Sequence, residues 1–338
     1  MYTKRYFNFG ILYFISWRMI LWSLFTGVVA VSVYEFLEWR WVAIPWLPVS
    51  LIGTAVAFYV GFKNNQSYDR GWEARKIWGG FVNLSRSFAA SARAFVTDEF
   101  AKGAVSRETV STEIRTLVYR HLAWLHAVKH SMRQRTSWEH KQTASNRQRR
   151  YFEKRIDFSS LENDLAQYLS TEDLSWIKTR KNTSTQLLDR QSQHLMQLKQ
   201  RGLLDDFRHM ELQRIITELY AEQGRSERIK NSPLPRQYST SSAIFIILFT
   251  LLLPFGMLAE FEKIGEGLIW LMVPFNLIVS WVFSLMEYTG DYSENPFEGL
   301  INDVPIFTIV RNIEVDLREM LGEKELPEKL QPVYDVLF

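Results

Sequence analysis

Residues 50–80 read SLIGTAVAFYVGFKNNQSYDRGWEARKIWGG. The first half of this stretch is apolar enough for the core of a bilayer. The second half is charged and aromatic, and no proline separates the two. A helix carried through both halves would pass from lipid to water without a break. In the apolar half Thr54, Phe58 and Phe62 recur every four residues, so they share one slowly drifting face. Gly53, Ala55, Ala57 and Gly61 lie between them, and small residues let membrane helices approach closely. Spacing alone leaves two readings of that face. Either the rings of several copies converge on an axis, or Phe58 and Phe62 fill a core or face lipid.

Three further segments reach spanning length. The four run roughly from Met19 to Phe36, Val42 to Phe62, Ser242 to Phe261 and Leu268 to Tyr288, and about 20 helical residues cross a hydrocarbon core of roughly 30 Å. Trp17, Trp22, Trp39, Trp41 and Trp46 near the ends of the first two suit the membrane interface. The 338 residues are 47% hydrophobic yet 23% charged, so a membrane part is joined to a large aqueous part. There is no cysteine, which excludes disulfides and thiolate metal sites. The opening twenty residues lack the order of a cleaved signal peptide.

Charge orients the spans. The links YEFLEWRW and EFEKIGEG are poor in Lys and Arg, whereas Lys4, Arg5 and Arg18 precede the first span and Lys63, Arg70, Arg75 and Lys76 follow the second. The positive-inside rule then places both termini and the long middle segment in the cytoplasm. From Lys63 to Thr240 there are 31 Lys and Arg against 20 Asp and Glu; from Glu287 to Phe338 there are 4 against 12. A basic middle and an acidic tail on one side of the membrane attract each other, so the tail is expected to wrap the middle; two separate solvated surfaces are the plainer alternative.

The chain therefore divides into residues 1–62, holding the first two spans, 63–240 as a helical cytosolic domain, 241–289 as the third and fourth spans, and 290–338 as a cytosolic tail. Within the middle, Ile114, Leu117, Val118, Leu122, Leu125 and Val128 recur at three- and four-residue steps, the mark of one apolar helix face. No run alternates with period two, so no sheet is expected. The polar, basic stretch from Arg133 to Arg150 reads as a loop or a solvated helical extension.

Enzymatic constellations are missing: there is no phosphate-binding glycine loop and no nucleophile with a recognisable base. His126 and His130 stand four apart on a helix, a spacing that could hold a metal, but position suggests no acidic third ligand. They read as packing or surface residues, and no metal, cofactor or nucleic-acid partner is implied.

GFKNNQSYDRGWEARKIWG, residues 61–79, resembles the signature of the bestrophin family in its bacterial branch. ERIKNSPLP (227–235), LLLPFG (251–256) and ENPF (294–297) with Asn302 and Asp303 match in order and spacing. The resemblance covers roughly Phe14 to Leu321, the stretch from about Phe100 to Arg201 only through its helical character. It implies an all-α membrane protein with four transmembrane helices and a helical cytosolic domain, homopentameric, with a single axial pore that passively conducts monovalent anions, chloride first. The neck would be formed by Thr54, Phe58 and Phe62. An apolar throat of this kind gates by dewetting and carries no fixed charge. Thr54 departs from the large aliphatic group usual there, which should widen and wet the outer end.

The resemblance also implies a cytosolic aperture at Phe207, with Met210 one turn away as runner-up; an ordinary core residue is the alternative. Helix N-termini aimed at the axis would favour anions through unpaired N–H groups. Animal members bind calcium in an acidic cluster after the fourth span. Here only Glu298 and Asp303 remain, with Gly299, Leu300 and Ile301 where acids would stand, so no calcium clasp is expected. Asp69, Arg70, Glu73 and Arg75 continue the second span and suggest an ion-pair network at the inner end of the pore helix, or charges lining a vestibule. The implied partners are further copies of the chain, membrane lipid and permeant ions, in a bacterial inner membrane. Rival readings are the same scaffold selecting monovalent cations and a non-conducting membrane-anchored scaffold.

Overall fold

The computed structural model describes residues 1–7, 9–101, 103–140, 160–265 and 267–338. Among these residues ten α-helices and no strands are present: α1 (Phe9–Phe36), α2 (Trp46–Phe95), α3 (Arg107–Arg133), α4 (Leu161–Ala166), α5 (Thr171–Lys178), α6 (Thr183–Gln200), α7 (Asp206–Asn231), α8 (Arg236–Glu262), α9 (Met272–Asp291) and α10 (Ile306–Met320). Residues 141–150 of the basic stretch lie outside the described residues. The chain forms two compact units, one of Lys4–Gly71 with Pro233–Glu294, the other of Met1–Thr3, Trp72–Ser232 and Asn295–Phe338.

All four apolar segments lie on helices long enough to cross a membrane. α1 starts at Phe9, well before the apolar stretch. Its first turns carry exposed Phe9, Tyr13 and Trp17, the last two amphipathic rings of the kind that seat at a bilayer surface. The first unit packs by close approach at small residues. A methyl group added at Gly27 would meet Asn276 at 3.0 Å, and one at Gly53 would lie 2.6 Å from the Phe249 ring. Asn276 donates to the Ser23 carbonyl at 2.8 Å, so the polar group buried between α1 and α9 is satisfied, as a bilayer interior demands.

α2 is a single unbroken helix of 50 residues, about 75 Å long at 1.5 Å per residue, and the division between the units falls within it, after Gly71. Pro48 lies in its first turn, where no intrahelical donor is lost. Beyond that nothing in the sequence stops a helix. Its buried residues in the first unit, Val49, Gly53, Val56, Val60, Lys63 and Ser67, recur at three- and four-residue steps.

The second unit is built on α3. Leu117, Val118, Leu122, Leu125 and Val128 are buried as the periodicity predicts, but Arg120, His121, Trp124, His126 and Lys129 are buried too. From about Leu117 to Lys129 the helix is enclosed nearly all round rather than amphipathic, so its polar side chains there need partners within the protein. Arg120 pairs with Asp173 at 2.9 Å, Trp124 donates to Gln223 at 2.9 Å and His121 bonds the Ser85 hydroxyl at 2.9 Å. Burial pushes the His121 imidazole down to about 3. Residues of the acidic tail meet basic residues of the same unit in the pairs Arg86–Asp316 at 2.6 Å and Arg115–Glu323 at 3.3 Å. The last residues bond to the first, Leu337 N to Met1 O and Thr3 N to Asp335 O, both at 2.8 Å.

Candidate functional site

The face of α2 opposite its buried stripe stays open. Phe58 is 67% and Phe62 71% exposed, on the same side as exposed Leu51, Thr54 and Asn65. Thr54, Phe58, Phe62 and Asn65, together with Trp46 and Gly53 of α2, Phe249 of α8 and Phe283 of α9, line an open, largely apolar groove of about 930 Å³. Thr54 donates its hydroxyl proton to the Ser50 carbonyl at 3.0 Å, which leaves the oxygen lone pairs toward the groove side of the helix as its only polar offering.

Directly after Phe62, α2 is tied to its own unit by polar contacts that spacing did not reveal. The Lys63 side chain has no exposed surface and pairs with Glu287 of α9 at 2.5 Å. The Ser242 hydroxyl of α8 donates to the other oxygen of the same carboxylate. Asn64 donates to the Met286 carbonyl at 2.9 Å. Two turns on, Arg70 donates through Nε to the Glu294 carbonyl at 2.9 Å, and the Glu294 carboxylate takes Arg236 at 3.0 Å and the Ser239 hydroxyl at 3.1 Å. The signal was present in the sequence: a lysine at the end of one apolar span and a glutamate at the end of another, both on the side assigned to the cytoplasm.

Of the four charges expected to form a network, Glu73 pairs with Arg228 of α7 at 2.6 Å, and Arg75 donates to the Asn302 carbonyl at 3.4 Å. Asp69 is exposed and has no hydrogen-bond or ion-pair partner among the described residues.

Phe207 and Met210 sit in the first turns of α7 and are 86% and 68% exposed, which removes the reading of Phe207 as a core residue of this chain. Two of the first N–H groups of α7 are already taken. Asp205 caps the helix, one carboxylate oxygen accepting from Phe207 N at 2.8 Å and Arg208 N at 3.0 Å. At this helix end the cap itself therefore supplies a negative charge, which weakens the expectation that it favours anions.

His126 and His130 do share an acidic neighbour, one the sequence placed out of view. Asp164 of α4 accepts from His126 Nδ1 at 2.9 Å and His130 Nε2 at 3.0 Å. Lys129 donates to the same oxygen at 2.6 Å, so an ammonium occupies the position a metal ion would take. Burial would raise the Asp164 carboxyl, but hydrogen bonds from His126 and His130 and the Lys129 charge outweigh it and hold the group far below the usual range. Burial lowers both His126 and Lys129. Among the described residues no group of three histidine or carboxylate side chains is placed to hold a metal ion.

After the fourth span, Glu298 accepts from the His140 amide and pairs with its ring, each at 2.8 Å. Asp303 accepts from Gly299 N at 2.6 Å and Leu300 N at 3.0 Å, closing a turn in which Gly299 adopts φ +91°, a conformation open to glycine at little steric cost.

Comparison with known proteins agrees with this architecture. The family described as Bacterial/Fungal Bestrophin protein matches residues 5–319. A voltage-dependent anion channel-forming protein of Escherichia coli is 26% identical over 84% of this chain and 80% of its own length, and one of Ralstonia nicotianae is 28% identical over 83% and 79%. The crystal structure of a bacterial bestrophin homologue from Klebsiella pneumoniae superposes with a TM-score of 0.75 at 22% identity, covering 91% of this chain and 98% of that one. At that identity the likeness is one of fold.

Proposed function

Because the chain belongs to the bacterial and fungal bestrophin family, we propose that it assembles as a homopentamer around one axial pore and passively conducts monovalent anions, chloride foremost, across the bacterial inner membrane. In this reading residues 1–62 and 241–289 hold the bilayer spans, 63–240 and 290–338 lie in the cytosol, and both termini are cytoplasmic. Thr54, Phe58 and Phe62 form the neck. Phe207, or Met210 in its place, forms a second constriction. The protein performs no chemistry and needs no cofactor.

The observation that carries the reading is the open face of α2: two phenylalanines project from the middle of a spanning helix, away from the core of their own subunit. Copies of that face around an axis give a narrow, water-poor throat. Anions are favoured because the two relatives are named for forming anion channels. One observation favours the cation-selective alternative: the exposed charge on the open face just beyond Phe62 is Asp69, a carboxylate.

Purified protein reconstituted into planar bilayers tests the proposal. Phe58→Ala and Phe62→Ala together should raise single-channel conductance several-fold, since an apolar constriction conducts in proportion to its wetting. A detergent particle with the mass of a single chain, or currents indifferent to both substitutions, would defeat it.

A further inference from the structure

We propose that Asp69 sets the charge preference of the conducting path, acting as a cation-attracting carboxylate at its inner mouth. The inference rests on the pore reading above and adds to it a residue that the apolar neck cannot supply.

Geometry places the residue. At 100° per residue, Phe58, Phe62, Asn65 and Asp69 fall within an arc of about 60° on one side of the helix. All four are exposed. Asp69 follows Phe62 by seven residues, or about 10 Å along the axis, and Asn65, an uncharged amide, stands between them. Whatever passes the rings of Phe58 and Phe62 along this face meets Asp69 as its first fixed charge.

The neighbouring charges are otherwise engaged. Lys63 is buried against Glu287, and Arg70 turns to the Glu294 carbonyl. Glu294 itself is paired with Arg236. Of the charges α2 carries within the first unit, Lys63, Asp69 and Arg70, only Asp69 is both exposed and without a partner among the described residues; the next exposed charge of that kind on the helix, Lys76, follows seven residues later. Repeated by assembly, it becomes a ring of carboxylates in a confined space, where low-dielectric walls focus the field. Such a ring concentrates cations and repels anions, so it works against the anion preference of the pore and limits it.

The test is a charge series, with Asp69→Asn, Asp69→Lys and Asp69→Glu in the full-length protein. Reversal potentials are measured in potassium chloride gradients across planar bilayers. The anion-to-cation permeability ratio should rise about two- to fivefold from Asp to Asn and again from Asn to Lys, the scale expected for charges acting over roughly 10 Å of electrolyte. Asp69→Glu should keep the wild-type value. The differences should collapse near 1 M salt, where the screening length falls to about 3 Å; a residue that merely supports the fold would not show that dependence. The wild type alone should become more anion-preferring as salt is raised at a fixed gradient ratio, so the inference is testable even if a variant fails to assemble.

Reversal potentials that do not move along the series, or a wild-type preference insensitive to salt, would reduce Asp69 to a solvated surface charge. If Phe58→Ala with Phe62→Ala still alters conductance in that case, the pore reading survives and only the role of Asp69 is lost. If those substitutions are silent as well, the pore reading falls and takes this inference with it.

Discussion

Replacing Lys63 by methionine keeps most of the buried aliphatic stem and removes the ammonium. Glu287 would then hold a carboxylate only 15% exposed, with the Ser242 hydroxyl as its remaining donor of those described above. Deleting one member of a buried ion pair costs about 3–5 kcal/mol, because the other charge is left uncompensated, whereas removing both members together is often close to neutral. Lys63→Met and Glu287→Met are therefore expected to destabilise by about 3 kcal/mol or more each, and the double substitution by about 1 kcal/mol or less, since Met–Met contact suits the surrounding apolar walls. The coupling in a double-mutant cycle should exceed about 2 kcal/mol, well outside the additivity of independent sites. Reversible unfolding in mixed micelles, followed by circular dichroism, measures all four corners. If the single substitutions cost under about 1 kcal/mol, or if their costs simply add in the double, the pair does not hold α2 against α8 and α9.

Two further expectations follow from close geometry and from burial. A methyl group at Gly290 would lie 2.0 Å from Asn64 Oδ1, so Gly290→Ala should displace Asn64 from the Met286 carbonyl and cost about 1–3 kcal/mol; Asn64→Ala in the same chain should recover much of the loss in the same unfolding assay. Asp303 is fully buried, and desolvation, partly offset by Arg133, pushes its carboxyl up to about 6. A raised carboxyl favours the protonated form in the folded state, so its contribution is present below about pH 4 and is lost as pH rises through 6. Between pH 4.5 and pH 7.5 Asp303→Asn should gain about 2 kcal/mol of stability relative to wild type, read as the difference between unfolding curves at those two values; a constant difference would contradict the burial argument.

How much of this was legible in the sequence depended on which force wrote the pattern. The four spans were legible because length and apolarity are set by bilayer thickness, and α2 ran on as expected because nothing after Pro48 breaks a helix. The enclosed state of α3 was not legible. Its apolar residues follow a helical period, but Arg120, His126 and Lys129 sit on faces that a period assigns to solvent, and their partners Asp173 and Asp164 come from helices distant in sequence. Pairing across such distances has no local signature. The same holds for Asp205: its capping role could be read from its place before α7, yet which amides it takes, those of Phe207 and Arg208, needed the bonds themselves.

The open face of α2 also explains why spacing could not choose between core, lipid and pore. Buried Val49, Val56 and Val60 and exposed Phe58 and Phe62 obey the same period, and the larger apolar side chains are the ones left outside. In water the hydrophobic effect would sort them the other way. Within a bilayer that force is absent between helices, and close packing decides instead, drawing small residues inward and leaving bulky rings outside. Along α2, exposed phenylalanines beside buried valine and glycine are thus a sign of lipid surroundings. They do not distinguish a face turned to lipid from one turned to a shared axis. Asn65 and Asp69 continue the line of Phe58 and Phe62 with an amide and a carboxylate, but both follow the apolar span and meet water in either arrangement. The response of conductance to Phe58→Ala with Phe62→Ala is what separates the two, since only an axial constriction conducts in proportion to its wetting.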